Sequence, residues 1–251
     1  MGALSKPLLI CTTARSGSNL LSDYLNNTRC FGDIGEFFNP NLVQSGWRGK
    51  KFEYRTDVDV RDYVAFLQKC HSSLTGSWGI KCLYEDIENL ISFEVVQSLL
   101  KNATLIFLRR RDKVAQAVSY FLAQKTGKWM HGDIGVRDAT AVEFDYEKID
   151  RALNMLLSQE CQWLTIFSHF GLSPTEIVYE DFVTDPARYV QMIGLSAGLG
   201  RTIASVRTTL VPQTNEVNRL FAEQFVTQRL GESVFAKTQP VKYGDVIFVE
   251  R

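Results

Sequence analysis

Short apolar runs alternate along this chain with longer segments in which apolar residues return every three or four positions. Pro7 to Thr12, Trp78 to Cys82, Ala103 to Leu108 and Glu176 to Tyr179 are the compact runs. They are apolar or β-branched, as expected of strands buried on both faces of a parallel sheet. Ser18 to Asn27, Asp59 to Ser72, Asp112 to Lys125 and Tyr146 to Phe170 carry the helical spacing and should face that sheet. In the last of these, Ile149, Leu153, Leu156, Leu157, Leu164 and Phe167 are assigned to one inward stripe, with Gly171 and Pro174 as the stop signal. Thr214 to Leu230 reads as a further helix, and Val246-Ile247-Phe248-Val249 as a strand-like run without a place in the scheme. The alternation predicts an α/β fold of three layers, a central parallel sheet of at least four strands flanked by helices. No repeat or Pro/Gly-rich linker interrupts it, so one domain over residues 1–251 is expected, with 231–251 of uncertain placement.

Composition narrows the class. With 251 residues, 45% apolar and 22% charged, the chain can build a sizeable core, which excludes disorder, collagen and coiled coil. Lys plus Arg (28) balance Asp plus Glu (28), so no global field attracts nucleic acid or an anionic membrane, and any anion must be held locally. The run Leu8 to Cys11 is far shorter than a signal segment or a span of about 20 residues, and a cytoplasmic protein without a membrane span is expected. Cys11, Cys30, Cys70, Cys82 and Cys161 lack CxxC spacing and read as small buried hydrophobes. His71, His131 and His169 are isolated, read as surface or packing residues, and no metal site is expected.

The most informative stretch is Leu8 to Leu21, where a buried strand enters the small-residue loop Thr13-Ala14-Arg15-Ser16-Gly17 and then a helix beginning Ser18-Asn19. Unsatisfied N–H groups at a helix start, with the positive end of its dipole, bind an anion without net positive charge. Gly17 allows close approach, Ser16 and Ser18 carry hydroxyls, and Arg15 supplies a planar charged fork. A Walker A loop would need GxxxxGK[ST], which this segment lacks, so ATP hydrolysis is disfavoured. A second cluster, Arg109-Arg110-Arg111, follows another predicted strand. Asp112 is a plausible N-cap for the next helix and Ser119 stands two turns along it, so strand end and helix face can share one ligand at the carboxyl edge of the sheet.

Taken together, Thr13 to Leu21, Gly35-Glu36-Phe37-Phe38 and Arg110 to Ser119 resemble the Stf0 family of PAPS-dependent sulfotransferases. The similarity continues through Gly79-Ile80-Lys81, Gln124 to Trp129, Ile177 to Phe182, Asp185-Pro186 and the C-terminal helix, to about Leu230. The resemblance implies a P-loop-like fold and transfer of a sulfuryl group from PAPS, leaving PAP, to a hydroxyl of a carbohydrate or glycolipid. Trehalose is the family's default acceptor. Arg15, Ser16, Gly17, Ser18 and Asn19 match the family's loop for the 5′-phosphosulfate, with Asn19 where Thr is common. The 3′-phosphate pair maps onto Ser119 and an arginine, which is Arg110 if the strand is aligned and Arg111 if the helix cap is aligned. The family also forms dimers, so a homodimer is compatible with it.

In-line transfer through a loose transition state needs positioned donors more than a metal or covalent intermediate. What remains is the acceptor's proton. Among acidic candidates Glu36 is flanked by aromatics able to desolvate it, and the family's proposed catalytic Glu falls on this position. Arg15 is expected to act on the transferring group as well as to bind. Lys81 is read as a point charge just beyond a strand, able to steady a phosphate or sulfate oxygen. Tyr179-Glu180-Asp181-Phe182 is read as fold support, and Trp47, Trp129 and Phe37 as aromatic platforms for a sugar. Pro212-Gln213-Thr214-Asn215 departs from the family's charged run there. Competing classes are a P-loop kinase or nucleotide hydrolase, and a noncatalytic nucleotide- or sugar-binding protein.

Overall fold

A computed structural model describes residues 6–39, 60–74, 76–90, 93–129, 133–136, 138–199, 203, 205–210 and 216–237. The runs around Leu8, Gly79, Thr104 and Thr175 form strands β1 (Leu8–Thr12), β2 (Gly79–Leu83), β3 (Thr104–Arg109) and β4 (Thr175–Val178), all parallel, in the order β2-β1-β3-β4. Side chains alternate across the sheet. Leu9, Cys11, Ile80, Cys82, Leu105 and Phe107 point into one core, and Leu8, Ile10, Ile106, Leu108 and Ile177 into the other. Continuous apolar runs were needed because both faces are covered.

Nine helices are described: α1 (Ser18–Asn27), α2 (Val60–His71), α3 (Tyr84–Leu90), α4 (Phe93–Asn102), α5 (Lys113–Thr126), α6 (Tyr146–His169), the single turn α7 (Tyr179–Phe182), α8 (Pro186–Ser196) and α9 (Glu216–Lys237). Leu21 and Leu25 of α1 with Val190 and Ile193 of α8 close one face of the sheet. Leu67 of α2, Leu99 and Leu100 of α4, and Trp163 and Phe167 of α6 close the other. This is the expected three-layer α/β arrangement, a parallel sheet flanked by helices on both faces. A third apolar cluster joins α5, α6 and α9 through Phe121, Leu156 and Phe225 and reaches Ala14 of the loop after β1.

Boundaries follow cap chemistry. Asp112 accepts the Ala115 N–H at 2.8 Å to start α5, and Gly127, with φ 72°, ends it. Asp185 caps α8 with Pro186 in its first turn, a start signal that the apolar pattern alone did not weigh. Helices α3, α4, α7 and α8 lie outside the segments predicted from periodicity, and Tyr179 opens α7 instead of ending β4.

Several expectations are corrected. In α6, Leu157 and Leu164 are 42% and 52% exposed, while Ala152 and Trp163 point inward beside Ile149, Leu153, Leu156 and Phe167. Trp163 takes the inward place because its indole N–H donates to the Thr12 carbonyl at 2.8 Å. Cys11 and Cys82 are buried, but Cys30 and Cys70 are half-buried and Cys161 is exposed. Lys81 lies inside β2, not beyond it. Trp47, His131, Pro212-Gln213-Thr214-Asn215 and Val246 to Val249 fall outside the described residues.

Because β1 sits between β2 and β3, the chain must cross over β1 to pass from β2 to β3. The direction of winding reverses there, the topology that in open α/β sheets places the ligand site at the strands' carboxyl ends, here those of β1 and β3.

Candidate active site

The loop leaving β1 is pinned from three sides. Thr12 Oγ donates to the Leu108 carbonyl at 2.7 Å, which commits its proton, so at 2.5 Å it accepts from Ser16 Oγ. Gln116 of α5 donates to Thr13 Oγ at 2.9 Å and to the Ala14 carbonyl at 2.7 Å, while Trp163 holds the Thr12 carbonyl. Within this frame Arg15 (φ 59°) and Gly17 (φ 90°) are left-handed. Such residues turn successive N–H groups toward a common concavity suited to an anion. No side chain caps α1, and a Cβ on Gly17 would run into the Tyr179 ring. The Ser16 hydroxyl is turned inward to Thr12, so what Ser16 can offer an anion is its backbone N–H.

The three arginines after β3 diverge. Arg109 pairs with Glu176 of β4, and Arg111, its side chain 60% exposed, reaches Asp181 Oδ2 at 2.6 Å. Arg110 is only 15% exposed, lies over the Tyr179 ring at 5.2 Å from its centroid, and has Nε 3.8 Å from Glu180 Oε1. Glu180 accepts the backbone N–H groups of Arg111 (2.8 Å) and Asp112 (3.1 Å), fixing the turn. Ser119 accepts from Arg15 Nε at 2.9 Å, and Arg15 Nη1 donates to the Trp129 carbonyl at 2.6 Å. Burial, followed by the charge of Arg110, holds the Arg15 pKa below its ordinary value. The fold thus brings Arg15, Ser119 and Arg110 to one corner and leaves Arg111 on the outside.

A second group assembles at the outer edge of β2. The segment before Glu36 pairs with that edge, the Lys81 N–H donating to the Gly35 carbonyl at 2.9 Å. Lys81, 3% exposed, directs its ammonium between Asn19 of α1, to whose Oδ1 it donates, and Glu36 Oε1 at 2.6 Å. Asn39 donates to Glu36 Oε2 at 3.1 Å. Asp86 of α3 is buried and accepts the Leu83 N–H at 3.1 Å. Burial first, then the charge of Glu36, raises its carboxyl to about 7. Phe37 is core, its ring tilted against His71 with centroids 4.2 Å apart, so it is no exposed platform. Trp129 is exposed, with its ring edge-on to Tyr120.

Sequence reading did not single out Gln116, Asn39, Asp86 or the contact role of Tyr179. Gln116 shares a helix face with Ser119, three residues on, and that spacing was a usable signal. Asp86 had none. Among the described residues no group of three or more His, Cys, Asp and Glu is placed to hold a metal ion, and no helix is long and apolar enough to cross a membrane.

A parallel sheet whose switch point carries an uncapped helix start and two guanidiniums is an α/β architecture with a corner suited to an anion, and sequence comparison specifies the family. The Stf0 sulphotransferase family profile matches residues 7–228, and the chain belongs to that family. It is similar to the trehalose 2-sulfotransferase of Mycolicibacterium smegmatis, 26% identical over 207 residues that cover 68% of this chain and 76% of the relative. The enzyme of the same name from Mycobacterium tuberculosis is 26% identical over 213 residues, covering 71% and 79%. A sulfotransferase crystal structure from Alicyclobacillus acidocaldarius matches with a TM-score of 0.48 and 16% identity, over 92% of this chain and 96% of that one.

Proposed function

We propose that this sulfotransferase moves a sulfuryl group from PAPS to a hydroxyl of a carbohydrate or glycolipid acceptor, with Glu36 taking the proton. The observation that carries the reading is the corner formed by an uncapped helix start and two partly buried guanidiniums from the segments that follow β1 and β3. Like charges held together inside a protein raise its energy, and a doubly anionic ligand relieves that. The donor supplies a sulfuryl group already attached to a phosphate that leaves readily. Arg15, the N–H groups of Ser16, Gly17 and Ser18, and Asn19 suit its 5′ end. Arg110 and Ser119 suit the 3′-phosphate, and Arg111 is ranked below Arg110 because its exposed side chain turns outward to Asp181.

Glu36 stands on the other side of Asn19 and Lys81, and its carboxylate is held from two directions, which fixes its orientation. As the acceptor oxygen bonds to sulfur, Glu36 takes the hydroxyl proton and the S–O electron pair departs with the phosphate, stabilised by the Arg15 guanidinium. Lys81 supplies positive charge between the two groups. Trehalose is the first acceptor to test, since both relatives named above are trehalose 2-sulfotransferases.

The experiment is label transfer from PAPS radiolabelled in the sulfate to trehalose, other disaccharides, glycolipids and small alcohols, beside calorimetry with adenosine 3′,5′-bisphosphate. Transfer to a sugar hydroxyl and a saturable heat are expected. A folded protein giving neither overturns the reading.

A further inference from the structure

Within the donor reading above, on which this step rests, we propose that Tyr179 is a positioning residue that holds the two anion grips at a fixed separation and so sets the preference for a nucleotide charged at both its 5′ and 3′ positions. The residue lies outside both grips and touches each. Strand β4 is in register with β3 at Arg109 and Val178, so the next residues, Arg110 and Tyr179, leave the sheet side by side. The ring of Tyr179 fills the space that a side chain at position 17 would need, and packs against the loop that starts α1. The same ring carries the Arg110 guanidinium, 5.2 Å from its centroid.

The chemistry of that second contact matters more than its strength. A carboxylate holds a guanidinium by consuming its N–H donors, as Asp181 does with Arg111 at 2.6 Å. An aromatic face attracts the planar cation through its quadrupole and consumes none. Arg110 Nε is buried and makes no hydrogen bond, and Glu180 Oε1 stands 3.8 Å from it, beyond hydrogen-bonding distance. Glu180 instead spends its carboxylate on the N–H groups of Arg111 and Asp112. The turn α7 therefore steadies the arginine without occupying the donors that a phosphate would use. One rigid ring between Gly17 and Arg110 ties the helix-start grip to the strand-end grip.

The test measures affinity by calorimetry for adenosine 3′,5′-bisphosphate and for 5′-AMP, using the full chain and its Tyr179→Leu, Tyr179→Phe and Arg110→Lys variants. Wild type should prefer the bisphosphate. In Tyr179→Leu that preference should shrink roughly fivefold to tenfold, the value of a lost partly buried cation–π contact. Tyr179→Phe keeps the ring and should keep the preference, whereas Arg110→Lys keeps the charge, cannot lie flat on the ring, and should lose preference much as the leucine variant does. A Tyr179→Leu protein with the wild-type ratio, or one that loses both ligands equally, overturns the proposal. Where the leucine variant does not fold, a full preference in Arg110→Lys or a lost one in Tyr179→Phe overturns it. Wild type that binds neither nucleotide, or both alike, removes the donor reading itself, a result distinct from an unchanged ratio.

Discussion

At the β1–β3 corner two guanidiniums stand close enough to disturb one another, and the surrounding chain holds them there by a ring face, a hydroxyl and a backbone carbonyl. At the outer edge of β2, 3% exposed Lys81 meets Glu36 directly at 2.6 Å. The first region stores like charge and the second cancels opposite charge. Two guanidiniums gathered beside a helix start suit an anion, while a carboxylate clamped by an ammonium and an amide is fixed in orientation and in position relative to α1. Asn19 and Lys81 link α1 to Glu36, and Asn26 of α1 also holds both backbone groups of Ile34 two residues earlier, so geometry at one region is tied to the other.

The largest effect that separates the regions is expected from Glu36→Gln. The amide keeps the shape and a hydrogen bond to Lys81 or Asn39 but cannot take a proton. Turnover should fall by roughly 10²–10⁴-fold, while adenosine 3′,5′-bisphosphate binds within about twofold of wild type. Single-turnover label transfer and calorimetry on the same preparation check both halves. If bisphosphate affinity falls along with turnover, the two regions are one site and the division above is wrong.

A smaller effect is expected from Asp86, where burial and not pairing governs. Its carboxyl is raised from 3.8 to about 7 in the folded chain. The folded protein therefore holds this proton more tightly than the unfolded one, so the contribution favours folding fully below about pH 4 and is lost as pH rises through about 7. Three units correspond to about 4 kcal/mol across that interval. Asp86→Asn retains an oxygen for the Leu83 N–H and has no proton to lose. Urea melts at pH 5 and pH 8 should show wild type losing more stability between them than the variant. Parallel losses would mean that the neighbouring charges of Glu36, Glu85 and Lys81, and not Asp86, set the pH response.

These two carboxylates also mark where the sequence stopped being readable. Four strands could be located because each carries a compact apolar or β-branched run, and the loop from Thr13 to Gly17 could be recognised because its chemistry is contiguous. Glu36 was reachable largely through a family resemblance, its flanking aromatics being the only local cue, since nothing near it in sequence announces Lys81. That lysine, expected just beyond a strand, is buried within one, and burying an ammonium is costly. Its partners Asn19 and Glu36 offset the cost, and both arrive from distant segments. In α6 the helical period was right over 24 residues, yet Leu157 and Leu164 each lie one residue, about 100° of helix rotation, beyond the inward positions Leu156 and Trp163. The choice between Arg110 and Arg111 turned on a one-residue register that alignment left open. The pairing of Val178 with Arg109 places Tyr179 beside Arg110, and the exposed salt bridge takes Arg111 away.

The smallest expected effect bears on how far Ser119 belongs to the charged corner. In this structure its oxygen accepts from Arg15 Nε at 2.9 Å, which leaves its own proton free for another acceptor. Ser119→Ala removes one acceptor while Arg15 keeps the Trp129 carbonyl, so the change should amount to about 1 kcal/mol, or about fivefold in affinity. Where that loss falls is the informative part. If Ser119 serves only to aim Arg15, adenosine 3′,5′-bisphosphate and 5′-AMP weaken together. If its proton goes to the 3′-phosphate, as the proposed site requires, the bisphosphate weakens and 5′-AMP does not. We expect the second outcome, because a serine whose oxygen already accepts from a cation is polarised toward donating its hydrogen, and the acceptor best matched to it is an anion held beside Arg110.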